Sequence, residues 1–364
     1  MESGRRDAAV RGDAAAPRAP DAALRTAPGG VPPEVSILRA AGPTAPALSP
    51  EERLHDAFRG LVVGLAVGDP LGMPVQNRRA GTFLPIGDFV AGGPFDLPRG
   101  AWTDDTALAL ALAESLVERD AFDARDQVAR YGRWQHEGEP SSTGKCVGIS
   151  PTTAKALAQA KWSGNPFAGS HDPARAEKEP LVRAGIVAAW AWREPERAVA
   201  LAADAARTTH QAPLVLDACR YYAALVVGAL RGASRETLLA PNYSPVPGLW
   251  EHRPLRAEIA AIAAGGWSQR SGGRPHGGGN AADGLATLLW LLGRGGSFRE
   301  IVLIAVNLGH DSDTNGALAG QIGGALYGHA AIPAAWRAGL VRADLVAATA
   351  ERLHRAALRR TPAA

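Results

Sequence analysis

The chain has little sulfur, little lysine and almost no strand-like patterning. Its two cysteines, Cys146 and Cys219, stand alone and fit no zinc-ligand or thioredoxin spacing, which argues against a disulfide scaffold and a thiolate metal centre. A reduced, cytoplasmic protein is the expectation. Lysine occurs only at Lys145, Lys155, Lys161 and Lys178, and the formal charge over 364 residues is only +3. No dense basic stripe results, so no nucleic-acid partner is expected. No uninterrupted apolar run looks long enough to span a bilayer, and the N-terminus lacks the apolar core of a signal peptide, so no membrane partner is expected. Residues 1–47 are rich in Ala, Pro, Gly and Arg, without sustained periodicity, and read as a disordered tail.

What is present is helix. With 46% hydrophobic residues the chain can bury a large core. Order begins at Ser49-Pro50-Glu51-Glu52, a capping box with proline at the first helical position. Leu54, Phe58, Leu61, Val62 and Leu65 then share one helical face. Gly60, Gly64 and Gly68 lie one turn apart and admit close approach of a second helix. The Gly68–Gln76 stretch ends this helix, with Asp69 read as organising a turn.

Two further stretches organise the rest. Trp102-Thr103-Asp104-Asp105-Thr106 and Gly309-His310-Asp311-Ser312-Asp313-Thr314 each pack two carboxylates and flanking hydroxyls into a few residues. Each is followed by an apolar helical run, Ala107 to Val117 and Ala317 to Tyr327. Asp, Ser and Thr suit helix N-termini, where the dipole favours carboxylates. Two such starts meeting head to head would present four carboxylates to one point and require a cation. The donors are hard oxygens, so Mg2+ or Mn2+ is favoured over Zn2+. A third element is the glycine-rich Ser271–Asn280 run before a helix from Ala281 to Leu292, whose freed amides suit an anion such as a diphosphate.

At these motifs the chain resembles the ADP-ribosylglycohydrolase family. The resemblance runs through Gly68-Asp69-Pro70-Leu71-Gly72, both acidic motifs, Thr209-His210 and the glycine-rich loop. It implies a single all-α domain, about residues 48–360, folded around a dinuclear metal site. It also implies two divalent cations, Mg2+ or Mn2+, held by Thr103, Asp104, Asp105, Asp311, Asp313 and Thr314, with Asp104, Asp105 and Gln76 at the catalytic positions. His210 and Gly277, Gly278, Gly279 and Asn280 would hold the nucleotide. The implied substrate is an ADP-ribosylated protein or an ADP-ribose-containing small molecule, cleaved at the anomeric carbon.

The chain departs from the family at three places. Gln76 stands where relatives carry glutamate, Ser142 where they carry an acid, and Lys178-Glu179-Pro180 where they carry a small Asn-Gly pair. An acid and a proline at that last place repel phosphate and remove an amide donor. Two other readings therefore remain: a metal-containing domain that binds ADP-ribose without turnover, and a hydrolase of another ribosyl compound.

Overall fold

Ser49 starts the first helix in the computed structural model. Its hydroxyl accepts from the Glu52 amide at 3.2 Å, while its own amide donates to Glu52 Oε2 at 2.7 Å. The structure describes residues 48–360, so the tail expected over 1–47 lies outside the described residues. Among the described residues there are fifteen α-helices, and only isolated bridges of β type. The all-α expectation holds.

The helices run α1 (Pro50–Gly72), α2 (Asp104–Arg119), α3 (Ala124–Glu137), α4 (Pro151–Ser163) and α5 (Glu179–Trp190). Next come α6 (Pro195–Arg207), α7 (Pro213–Leu230), and the short α8 (Arg235–Leu238), α9 (Leu249–His252) and α10 (Ala257–Ala263). The chain closes with α11 (Ala281–Arg294), α12 (Phe298–Val306), α13 (Ser312–Tyr327), α14 (Ala334–Gly339) and α15 (Ala343–Arg359).

The spine of the fold is α1 against α13. A methyl group on Gly60, Gly64, Gly68 or Gly72 would land on the carbonyl oxygen of Gly324, Gly320, Gly316 or Ser312 respectively. One on Gly316, Gly320 or Gly324 would land on Gly68, Gly64 or Gly60 in return. The two helices therefore run antiparallel with backbones in contact, and the glycine spacing of α1 finds its partner in a matching spacing on α13. α5, α6 and α7 pack together on one flank, and α15 lies across α1 and α2.

The helix ends within the Gly68–Gln76 stretch as expected: it runs through Pro70 to Gly72, and a 3-10 turn follows over Met73–Val75. The last turn is held by the contact between Gly72 and Ser312, whose hydroxyl donates to the Gly72 carbonyl at 2.8 Å. One sequence expectation needs correction here: Pro50–Val75 and Pro213–Leu230 are long and apolar enough to cross a membrane by length and composition. They are apolar because they are central: 89% and 78% of these windows are buried within the fold.

Candidate active site

The antiparallel spine fixes where the acids meet. It sets the start of α13 beside the end of α1, and Asp69, fully buried in that last turn of α1, recruits the start of α2. Asp69 Oδ2 accepts from the Thr103 amide at 3.0 Å and from the Thr106 amide and hydroxyl at 3.2 and 2.6 Å. Asp69 Oδ1 takes the Thr103 hydroxyl at 3.0 Å. Thr103 makes no capping bond of its own, so α2 is capped from another helix. Asp69 thus does more than organise its own turn. A cap is worth about 1 kcal/mol, and here it also positions Asp104 and Asp105.

Asp104, Asp105 and Asp313 are 7%, 3% and 2% exposed. Burial pushes all three carboxyls well above their ordinary range, and neighbouring carboxylates push further. For Asp105 those neighbours are Asp104, Asp313, Asp69 and Asp311 in descending order. The two acidic motifs thus share one electrostatic site. Asp105 Oδ1 and Asp313 Oδ1 are buried with no hydrogen-bond partner. An unpaired buried carboxylate oxygen is costly, and an all-oxygen acidic set with two such atoms fits a hard divalent cation. Thr314 Oγ1 donates to Asp311 Oδ1 at 2.8 Å, which leaves its lone pairs available.

Lys178 is the residue that sequence reasoning missed. Its side chain is 1% exposed, and Nζ donates to the Gly277 carbonyl at 2.8 Å and to Asn315 Oδ1 at 3.1 Å. Nζ also lies 3.3 Å from Asp311 Oδ2. A single ammonium thus ties the glycine-rich loop to the second acidic motif. Its neighbour Glu179 accepts from Thr153 at 3.1 Å, lies 3.6 Å from Arg183, and raises the Asp104 carboxyl. Glu179 therefore adds negative charge beside the first acidic motif. Ser142 donates to the Trp102 carbonyl at 2.6 Å, beside the first motif. Gln76 follows the 3-10 turn, and its Oε1 is buried without a partner.

The glycine-rich loop is placed against the second motif. A methyl group on Gly277 would meet the Gly309 carbonyl, and the His276 and His310 rings sit edge to face at 5.9 Å. The helix start behind it is already satisfied, contrary to the expectation of open amides. The Asn280 side chain caps Ala282 and Asp283, the Asn280 amide bonds Asp283, and the Ala281 amide bonds the Ala176 carbonyl. Gly278 N donates to His276. His210 is fully buried, with its ring nitrogens 2.9 Å from Thr209 Oγ1 and 2.8 Å from Glu177 Oε2. Its ring is enclosed, and its Nε2 is tied to Glu177, which also accepts from Thr152. Both arrangements have one cause, because local polar partners claim these groups first.

Comparison with known proteins points to one family. The family model described as ADP-ribosylglycohydrolase matches residues 50–363. The ADP-ribosylarginine hydrolase Tri1 of Serratia proteamaculans (strain 568) is 32% identical over 315 residues, covering 85% of this chain and 82% of the relative. Its namesake from Pseudomonas putida (strain GB-1) is 33% identical over 294 residues, covering 79% of this chain and 75% of the relative. A solved structure titled as an ADP-ribosylglycohydrolase-related protein complex superposes with a TM-score of 0.73 at 38% identity. That match covers 84% of this chain and 99% of the solved one.

Proposed function

The chain belongs to the ADP-ribosylglycohydrolase family, and from that premise we propose that it hydrolyses the bond between ADP-ribose and a modified arginine of a protein. Two divalent cations, Mg2+ or Mn2+, are part of the proposal, held by Thr103, Asp104, Asp105, Asp311, Asp313 and Thr314. The observation that carries it is the pair of unpartnered buried oxygens, Asp105 Oδ1 and Asp313 Oδ1, at the meeting point of two acidic helix starts. Bound there, such ions supply fixed positive charge that polarises ribose hydroxyls and a water.

The protein's own groups do the rest. Asp69 and the glycine spine fix the spacing of the two acidic starts before substrate arrives, so little reorganisation is needed at reaction. The carboxylates favour the positive charge that develops at the anomeric carbon and attract the cationic guanidinium of the substrate. Lys178 holds the Gly277 end of the glycine-rich loop against Asp311, which supports a role for that loop in holding the nucleotide half of the substrate.

The test is release of ADP-ribose from arginine-modified protein, with serine-linked and nucleotide-linked ADP-ribose assayed in parallel. Release from the arginine-linked substrate in Mg2+ or Mn2+, abolished by chelation and by Asp104→Asn, is the expected result. Tight binding of ADP-ribose without release from any substrate would favour a binder instead, a reading motivated by Gln76, whose amide cannot accept a proton as a carboxylate does.

A further inference from the structure

At the opposite end of α1 from the acidic site, a second polar cluster has a different donor set. Glu351 and His354 lie one turn apart on α15, a spacing that puts both on one helix face. His55 of α1 faces them. One ligand atom from each of the three lies within 4.8 Å of the others. His55 Nε2 is 2.8 Å from Glu351 Oε2, and the His55 and His354 rings lie with centroids 4.9 Å apart, tilted by 35°.

Two features make this more than a surface ion pair. His354 is 6% exposed, and its Nε2 is buried with no hydrogen-bond partner. Buried ring nitrogens are ordinarily paired, and an orphan beside another imidazole and a carboxylate is what a ligand atom without its ion looks like. The cluster also opens to solvent through a concavity of about 600 Å3 lined by Ser49, Glu51, Glu52, His55 and His354, which gives an ion a way in. Both Glu351 oxygens face His55 Nε2, Oε2 at 2.8 Å and Oε1 at 3.0 Å, and Arg59 Nε lies 3.2 Å from Oε1.

We propose that His55, Glu351 and His354 form a binding site for a Zn2+-class transition-metal ion that clamps the first helix of the fold to the last. Two imidazoles and one carboxylate are a borderline donor set that suits Zn2+ or Co2+ and is poorly suited to Mg2+. Tetrahedral ligand bonds of about 2.0–2.1 Å set donors about 3.3 Å apart, so the 2.8 Å His55–Glu351 pair has to open and turn toward His354. His55 and Glu351 can do so, since their side chains are 38% and 35% exposed. Fourteen residues of α1 separate His55 from Asp69, about 20 Å at the helical rise. The ion therefore takes no part in the chemistry of the acidic site, and its effect is on the attachment of α15 to α1.

The test titrates the full chain with Zn2+ by calorimetry and with Co2+ by visible absorption, in the presence of saturating Mg2+. Wild type should take up one ion per chain, with d–d bands of a nitrogen-bearing site and a melting temperature several degrees higher in Zn2+. His55→Ala should weaken uptake at least tenfold and remove the thermal gain. Glu351→Gln should weaken uptake as well, whereas Asp105→Asn should leave both effects in place. His354→Ala serves as a further variant, and should its burial prevent folding, His55→Ala decides alone. Uptake that survives His55→Ala unchanged, or that disappears in Asp105→Asn, overturns the proposal. Because ADP-ribose release is read separately, failure here leaves the hydrolase reading untouched.

Discussion

At Gln76 the family resemblance implies a glutamate. The amide Oε1 there is buried and unpaired in a side chain that is otherwise partly buried. Gln76→Glu should raise the rate of ADP-ribose release by at least about tenfold, the lower range for a positioned base. An unchanged rate in a folded variant would remove this position from the chemistry. Lys178 gives a second residue-scale prediction. With its ammonium 3.3 Å from Asp311, cation entry has to overcome like charge. Lys178→Met should therefore tighten Mn2+ binding by about tenfold, worth about 1.4 kcal/mol, and should raise KM because the Gly277 loop loses its tether. Titration calorimetry with steady-state kinetics checks both, and equal Mn2+ affinity in variant and wild type would sink the first half. The sequence displays the carboxylates openly, since each set sits within a few residues. It hides Lys178, because Gly277, Asp311 and Asn315 come together with it only through the fold.

At the scale of elements, the helices are legible because their signals are local: the Ser49 capping box, the apolar face of α1, the acidic starts of α2 and α13. Pairing is less so. Gly60, Gly64 and Gly68 announce a close approach, but only the structure shows that Gly316, Gly320 and Gly324 supply the other half. The capping role of Asp69 is hidden for the same reason, since a cap supplied by another helix leaves no spacing to find. The ladder makes a sharp contrast testable. In Gly64→Ala the helix-propensity gain is about 1 kcal/mol. The added methyl meets a backbone carbonyl that cannot rotate away, and overpacking of that kind costs about 1–3 kcal/mol or more. The clash wins, and the variant should be destabilised. Gly132 of α3 has no atom within 4 Å of where a methyl would go, so Gly132→Ala should be neutral or stabilising. Denaturant unfolding of the two variants measures the difference, and equal stabilities would mean the spine is looser than described.

For the molecule as a whole, the acidic site sets up a conflict between folding and charge. The carboxyls of Asp104, Asp105 and Asp313 are held well above the ordinary value of 3.8, first by burial and then by neighbouring carboxylates, led by Glu179, Asp104 and Asp311 respectively. A carboxyl raised in the folded state holds a proton that the unfolded chain has released. Without a cation the folded state therefore binds more protons above the ordinary carboxylate range, and its stability falls as pH rises through that window. Carboxylates held low by ion pairs act in the opposite sense and at lower pH. Asp126 is one, where burial raises the carboxyl but the Arg130 hydrogen bond and charge outweigh it. A divalent cation removes the conflict by taking the place of the protons, so its affinity grows with pH. The melting temperature in chelator should decline between about pH 5 and 8. In Mn2+ it should decline less, so the gap between the two curves widens with pH. Asp105→Asn, with one fewer titrating group, should flatten the chelator curve and narrow the gap. Thermal melts of both proteins across this range measure it, and a gap that stays constant with pH would show that the four carboxylates do not take up the cation together.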